Sequence, residues 1–277
     1  MILVTGSTGL LGSAILSAAV SAGYQAEGSS RTGHASPRTI DFDKPSTVTF
    51  TGVDTLVLVS AGEAEDDVVI ARHETAIAAA ERDGVSHIVY TSLTSAGDHL
   101  TFALAHRWTE DRLRRSSINW TILRNGLYAE LFGSLHTWSG QRLRSAFGDG
   151  TLSAVGRTDL AEAAAAVATS PGSHVQRIYE LVGPPISSAD LASALAVELD
   201  IIPLERRRTE LVASALKPFQ PAMLMSIYTS ARHGFLGGAS GDLVSLLGRE
   251  PRDAIAIAAA AAMDSARVGT HEPAEHA

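Results

Sequence analysis

Three glycines, Gly6, Gly9 and Gly12, stand three apart in Leu3-Val4-Thr5-Gly6-Ser7-Thr8-Gly9-Leu10-Leu11-Gly12. The chemistry such a run can do is phosphate binding. One glycine makes a tight turn, another lets backbone approach a pyrophosphate, and a third lets a helix pack closely on a strand. That helix then presents its N-terminal N–H groups to the phosphates. The function requires a strand before the run and a helix after it. Ile2–Thr5 reads as the strand and Leu10–Ala22 as the helix. Gly6, Ser7, Thr8, Gly9, Leu10, Leu11 and Gly12 are therefore the candidate cradle for a dinucleotide. A second strand, Tyr24–Ser29, exits as Ser30-Arg31-Thr32. An arginine at that tip accommodates the 2′-phosphate of NADP, whereas a carboxylate there grips the ribose hydroxyl of NAD. Arg31 points to NADP(H). Glu27 points to NAD if the strand stops early.

The elements needed to position such a site recur along the first half. Thr39–Asp41, Thr55–Ser60, His87–Ser92 and Trp120–Arg124 read as strands, several of them continuous apolar runs of the kind buried on both faces of a parallel sheet. Asp67–Arg82 and Leu104–Arg115 read as helices between them. The alternation predicts an α/β, Rossmann-type, doubly wound parallel sheet. After Gly126 the pattern loosens into helical stretches at Ala129–Arg144, Thr158–Thr169, Ser188–Leu199 and Glu205–Leu216, with one strand at Ile178–Val182. We expect an NADP-binding domain over 1–128, a remaining strand and small, mostly helical substrate lobe over 129–267, and a frayed tail over 268–277. No internal repeat is visible.

Composition removes other classes. The 277 residues carry a net charge of -8, against the basic face that nucleic-acid binding needs. With no cysteine, disulfides, Cys-ligated zinc, iron–sulfur clusters and thiol catalysis are excluded. The longest apolar stretch, between Asp253 and Asp264, is shorter than the ~18 residues of a membrane span. The short apolar run after Met1 is no secretory signal, and the expectation is a cytoplasmic protein. Glu63, Glu65, Asp66 and Asp67 precede a helix, where negative charge suits the dipole, and are not read as a metal site. His73 and His87 are expected on helix and strand surfaces, and Arg206, Arg207 and Arg208 on a solvated helix face. The outer helix faces are too alanine-rich to mark an interface, so whether the protein is a homo-oligomer stays open.

Gly84-Val85-Ser86-His87-Ile88-Val89-Tyr90-Thr91-Ser92, Leu123-Arg124-Asn125-Gly126-Leu127-Tyr128, Gly156-Arg157-Thr158-Asp159, Tyr179-Glu180-Leu181-Val182-Gly183 and Ser240-Gly241-Asp242-Leu243 occur in that order. Together they resemble the NmrA-like atypical short-chain dehydrogenases, and among them the NADPH:quinone oxidoreductase type 2 group, from Ile2 to about Arg252. The resemblance implies that Asp41 and Phe42 lie against the adenine, that Ser60, Ala61 and Gly62 line the cofactor channel, and that Tyr90, Thr91, Ser92 and Asn125 face the nicotinamide end. The strand reading agrees on location, because ligands bind beyond the carboxyl ends of parallel strands and Ser60, Ser92 and Asn125 fall there.

The Tyr-x-x-x-Lys dyad of ordinary short-chain dehydrogenases is missing: neither lysine, Lys44 or Lys217, lies four residues after a tyrosine. Alcohol–ketone chemistry is disfavoured. Reduction of a quinone or similar electrophilic small molecule asks less, namely a hydride donor and hydrogen-bond donors for the developing oxyanion. His106 is the candidate donor or proton source, with the role of a scaffold-bonded helix histidine as its alternative. Tyr90 is the substitute, and Asn125 suits the nicotinamide carboxamide because an amide both donates and accepts. The rival function is an NADP-binding redox sensor that regulates a partner without turnover.

Overall fold

The computed structural model describes residues 1–32 and 38–269, with side chains as far as Arg267. Apolar strands that are parallel need cover on both faces, and the chain supplies it in alternation. The order is β1 (Ile2–Val4), α1 (Leu10–Ser21), β2 (Ala26–Ser30), β3 (Arg38–Thr39), β4 (Thr55–Val59), α2 (Asp66–Arg82), β5 (His87–Leu93), α3 (Ala103–Arg114) and β6 (Asn119–Asn125). After α4 (Ala129–Ser134), β7 (Thr137–Ser139), β8 (Arg142–Ser145) and β9 (Thr151–Ser153), α5 (Arg157–Thr169) and β10 (Arg177–Leu181) return to the main sheet. The remainder is β11 (Pro185–Ser187), α6 (Ser188–Leu195), β12 (Leu199–Ile201), α7 (Leu204–Ala213), α8 (Gln220–Arg232), α9 (Asp242–Leu247) and α10 (Ala254–Gly269).

The seven-stranded sheet runs β10-β6-β5-β4-β1-β2-β3 with every pair parallel. Because successive residues of a strand face opposite ways, each strand feeds two cores. Leu3, Leu56, Ile88 and Ile122 pack with Ile77 of α2 and Leu113 of α3. Val4, Val57, Val89 and Leu123 pack on the other face with Ile15 of α1 and Val167 of α5. The strand order reverses between β1 and β4, and the carboxyl ends of strands at such a reversal are where open parallel sheets bind ligands. A separate core around Phe132, Phe147, Leu191, Tyr228 and Ala258 joins α4, α6, α8 and α10 beside it.

Several expectations change. Ala129–Arg144 is not one helix: α4 stops at Ser134, and β7 and β8 form a hairpin whose turn holds Gly140 at φ +59°. The β-branched and aromatic Thr137-Trp138 before a glycine outweigh the helical spacing. The helix from Ser188 ends at Leu195, and Ala196 turns left-handed (φ 55°) before β12. The alanine-rich stretch is α10, which runs to Gly269, and of the tail expected over 268–277 all but 268–269 lie outside the described residues. Alanine's helix propensity explains it. Among the described residues no helix is long and apolar enough to cross a membrane. His73 and His87 are buried, not surface residues. Arg207 turns inward, its Nε donating to the Tyr228 hydroxyl at 2.9 Å.

Candidate functional site

The glycine turn takes the form its spacing predicts. Gly6 has φ +61°, and the Gly9 N–H donates to the Gly6 carbonyl at 2.9 Å. Gly9 then starts α1 with no side chain capping the helix. A Cβ on Gly12 would lie 2.3 Å from the Gly6 oxygen, so helix and turn approach too closely for any other residue. Ser7 faces inward: its N–H and hydroxyl both donate to the Ser29 carbonyl, at 3.0 and 3.2 Å. A Cβ on Gly28 would meet Ser7 Oγ at 2.4 Å, making Gly28 a part of the turn that the sequence reading missed. A glycine inside a strand is the signal that marks such an approach. Thr8, Gly9 and Leu10 are exposed, Leu10 by 71%, while Leu11 is buried beneath them.

At the next strand, β2 continues to Ser30. Glu27 therefore sits opposite Leu3 inside the sheet and is bound by Arg38 Nε at 3.0 Å, which removes it from the ribose position. Arg31 is exposed directly beyond the strand tip. Asp41 and Phe42 follow β3, Asp41 beside Lys44 Nζ at 3.3 Å and Phe42 packed on the core under β1.

At the other side of the switch point, Ser60 directly follows β4 and Asn125 ends β6; among the described residues Asn125 Oδ1 is buried without a hydrogen-bond partner, and buried Ser60 Oγ has only the nearby Tyr90 hydroxyl to act on. An orphaned buried polar atom costs about 1–3 kcal/mol unless a ligand satisfies it. The Ser60 N–H is held by Thr91 Oγ1 at 3.1 Å, and the Ala61 N–H by His73 Nε2 at 3.0 Å. His73 Nδ1 lies 2.7 Å from Thr109 Oγ1, whose hydroxyl donates to the Ala105 carbonyl, so the network puts the His73 proton on Nδ1. Burial, then the charges of His106 and Arg72, lower its pKa to about 3 and keep it neutral. Gly62 is exposed beyond this anchored segment.

Tyr90 is the fourth of the seven residues of β5 and fully buried, so it lies inside the sheet and not at the strand end. Its hydroxyl lies 2.8 Å from His106 Nδ1 on α3, which brings the two candidate donors together. Burial raises the Tyr90 pKa, and the nearby Thr109 and Ser60 hydroxyls only partly offset it. Burial and the neighbouring Arg107 charge lower that of the half-buried His106 to about 4. Among the described residues His106 Nε2 has no partner. Ser92 is committed to the scaffold: its hydroxyl donates to Glu110 Oε1 at 2.7 Å. Burial pushes the Glu110 carboxyl up, but Arg124 (2.6 Å), Ser92 and Arg107 (2.7 Å) outweigh it and hold it below the usual range. Arg124 continues to Glu180 at 3.1 Å, and Glu180 receives Thr94 Oγ1 at 2.9 Å, which ties the ends of β5, β6 and β10. The lobe reaches over this region. Lys217 Nζ pairs with Glu63 Oε2 at 3.0 Å, and the rings of His99 and Phe235 stack at 4.2 Å.

A family model described as NAD(P)H-binding matches residues 6–171. The chain is 38% identical over 151 residues to quinone oxidoreductase 2 of Escherichia coli, a stretch covering 53% of this chain and 51% of that protein. It is 26% identical to an NmrA-like family domain-containing oxidoreductase of Aspergillus flavus, over 91% of this chain and 93% of that one. Triphenylmethane reductase of Citrobacter sp., solved with NADP(H), superposes with a TM-score of 0.83 at 26% identity, covering 95% of this chain and 100% of its own. The E. coli quinone oxidoreductase solved with NADPH gives 0.81 at 27% identity, covering 97% and 100%. With the matched model spanning more than half of the chain, the protein is a member of the NAD(P)H-binding family and is related to the NmrA-like oxidoreductases.

Proposed function

We propose that the protein is an NADPH-dependent reductase that passes a hydride directly to a quinone or a similarly electrophilic small molecule. The observation that carries this reading is the buried Asn125 Oδ1, which has no hydrogen-bond partner among the described residues, at the end of β6 on the same side of the sheet as an uncapped glycine turn. Such a set fits a dinucleotide: phosphates on Gly6, Thr8, Gly9 and Leu10, a 2′-phosphate on Arg31, adenine against Asp41 and Phe42, and the nicotinamide amide on Asn125 and Ser60. Ala61, Gly62 and Thr91 shape the channel between them, with Gly12, Ser7 and Leu11 as its backing. Bound NADPH supplies the hydride at its nicotinamide ring.

The chain's own part is orientation and hydrogen bonding. A neutral His106 that accepts the Tyr90 O–H at Nδ1 turns an N–H outward at Nε2, a donor for the oxyanion that forms on the acceptor. The raised Tyr90 pKa opposes full transfer of its proton, so the pair acts as an oriented donor and water completes the protonation. We place the protein in the cytoplasm, where reduced nicotinamide is regenerated. The test is NADPH oxidation with a panel of quinones, azo dyes and activated carbonyls. The purified protein should show no flavin absorbance and should oxidise NADPH only when an acceptor is added. NADPH binding without turnover on any member of the panel would establish the sensor reading instead.

A further inference from the structure

The tip of β2 carries Arg31, and the segment after β3 lies against it: the Ile40 N–H donates to the Ser30 carbonyl at 2.9 Å. That segment brings two carboxylates, Asp41 and Asp43, to the place proposed for a dianionic 2′-phosphate. An unpartnered Asp43 would act twice against the phosphate, by repelling it and by drawing Arg31 onto itself. Asp43 has another partner. Arg72 of α2 grips both its oxygens, Nε to Oδ1 at 2.7 Å and Nη2 to Oδ2 at 2.8 Å, the bidentate geometry that guanidinium and carboxylate favour. A further Arg72 nitrogen lies 3.5 Å from the Ala61 carbonyl, at the segment that follows β4. The Arg72 side chain is largely buried while Asp43 is half exposed, so the arginine is the fixed member and the carboxylate the held one. The Arg72 hydrogen bonds, and then the charges of Arg72 and Arg31, hold Asp43 below its usual pKa.

We infer that Arg72 determines specificity for NADPH over NADH without serving as the phosphate ligand: by holding Asp43 it frees Arg31 for the 2′-phosphate and cancels the charge that would reject it. The inference rests on Arg31 as the 2′-phosphate ligand. Among the described residues Asp41 is paired with Lys44, so releasing Asp43 from Arg72 adds one uncompensated carboxylate to the segment after β3. NADH has no group at this position, and its binding should not register the change.

The test is calorimetric titration of NADPH and NADH into wild type, Arg31→Ala, Arg72→Gln, Asp43→Asn and the Arg72→Gln/Asp43→Asn double variant, each checked for its unfolding midpoint. A like charge about 6 Å from the phosphate, at an effective dielectric constant of about 40, changes affinity about tenfold. Arg72→Gln should therefore weaken NADPH about tenfold and NADH by less than about twofold. Adding Asp43→Asn should return NADPH to within about threefold of wild type, a coupling that independent sites do not show. Asp43→Asn alone should leave NADPH affinity equal or tighter, and this arm stands even if Arg72→Gln folds poorly. Equal losses for both cofactors in Arg72→Gln, no rescue in the double variant, or weaker NADPH binding in Asp43→Asn overturns the inference. If wild type itself shows no preference for NADPH, or Arg31→Ala leaves the preference intact, the reading of Arg31 fails and the inference with it. If Arg31→Ala abolishes the preference and Arg72→Gln does not touch it, the inference alone fails.

Discussion

A phenol and an imidazole that share a hydrogen bond at 2.8 Å respond to burial in opposite directions. Tyr90 becomes a weaker acid and His106 a weaker base, so at neutral pH both are uncharged and the proton between them stays on the phenol. An unperturbed histidine would titrate near ~6.5 and give a rate that falls as pH rises through that value. The buried pair removes this. The rate of acceptor reduction should be flat from about pH 6 to 8 and bend only as pH falls toward about 4, where His106 takes up a proton. His106→Ala should lower the maximal rate by roughly tenfold or more and leave NADPH affinity within a few fold, with Tyr90→Phe intermediate. Stopped-flow pH profiles check this, and a wild-type bend near ~6.5 would refute the neutral pair. At this scale much was legible. The turn at Gly6, Gly9 and Gly12 stands out because its geometry is local, and so does the place of Arg31 beyond the tip of β2. The Tyr90–His106 contact and the Arg38–Glu27 pair were not, because strand and helix register decide them.

Helix α1 and strand β2 meet the glycine turn from two sides, and the two tolerate change differently. A Cβ on Gly12 would collide with the Gly6 carbonyl, whereas a Cβ on Gly9 would meet that same oxygen at 3.3 Å and otherwise face open space. Gly12→Ala should therefore lower the unfolding midpoint and weaken NADPH together. Gly9→Val should weaken NADPH while the midpoint stays near wild type, since its side chain enters the space assigned to the pyrophosphate. Thermal melts and calorimetry on both variants separate the two. Equal binding by Gly9→Val and wild type would put the phosphates elsewhere. The strands of the sheet were readable to within one or two residues at each end, because apolar, β-branched runs such as Thr55–Val59 are uniform. The lobe was not. Its five strands are each three or four residues long, and α9 has only six residues.

Over the whole molecule, histidines hold the layers together while uncharged. His73 ties α2 to α3, His87 bonds Thr121 of β6 at 2.8 Å, and His136 bonds Ser188 of α6 at 2.9 Å. Burial lowers His73 to about 3 and His87, His106 and His136 to about 4. A folded pKa below the unfolded one means that the unfolded chain binds more protons between the two, so stability falls as pH falls. The window runs from about 6.5 down to about 4, with each such histidine changing the unfolding equilibrium constant up to about tenfold per pH unit. Urea midpoints should drop across this window, ahead of the range in which paired carboxylates such as Glu110 protonate, and a midpoint constant down to about pH 5 would contradict the burial of these rings. The architecture gathers the glycine turn, Ser60 and Asn125 at the carboxyl ends of the strands, and direct hydride transfer there is the proposal to be tested. The most direct test is the first turnover of quinone reduction with NADPH deuterated at nicotinamide C4, followed by stopped flow on the flavin-free protein. The account predicts a slower first turnover with the deuterated cofactor. Equal rates for the two cofactors, or no oxidation at all, would contradict it.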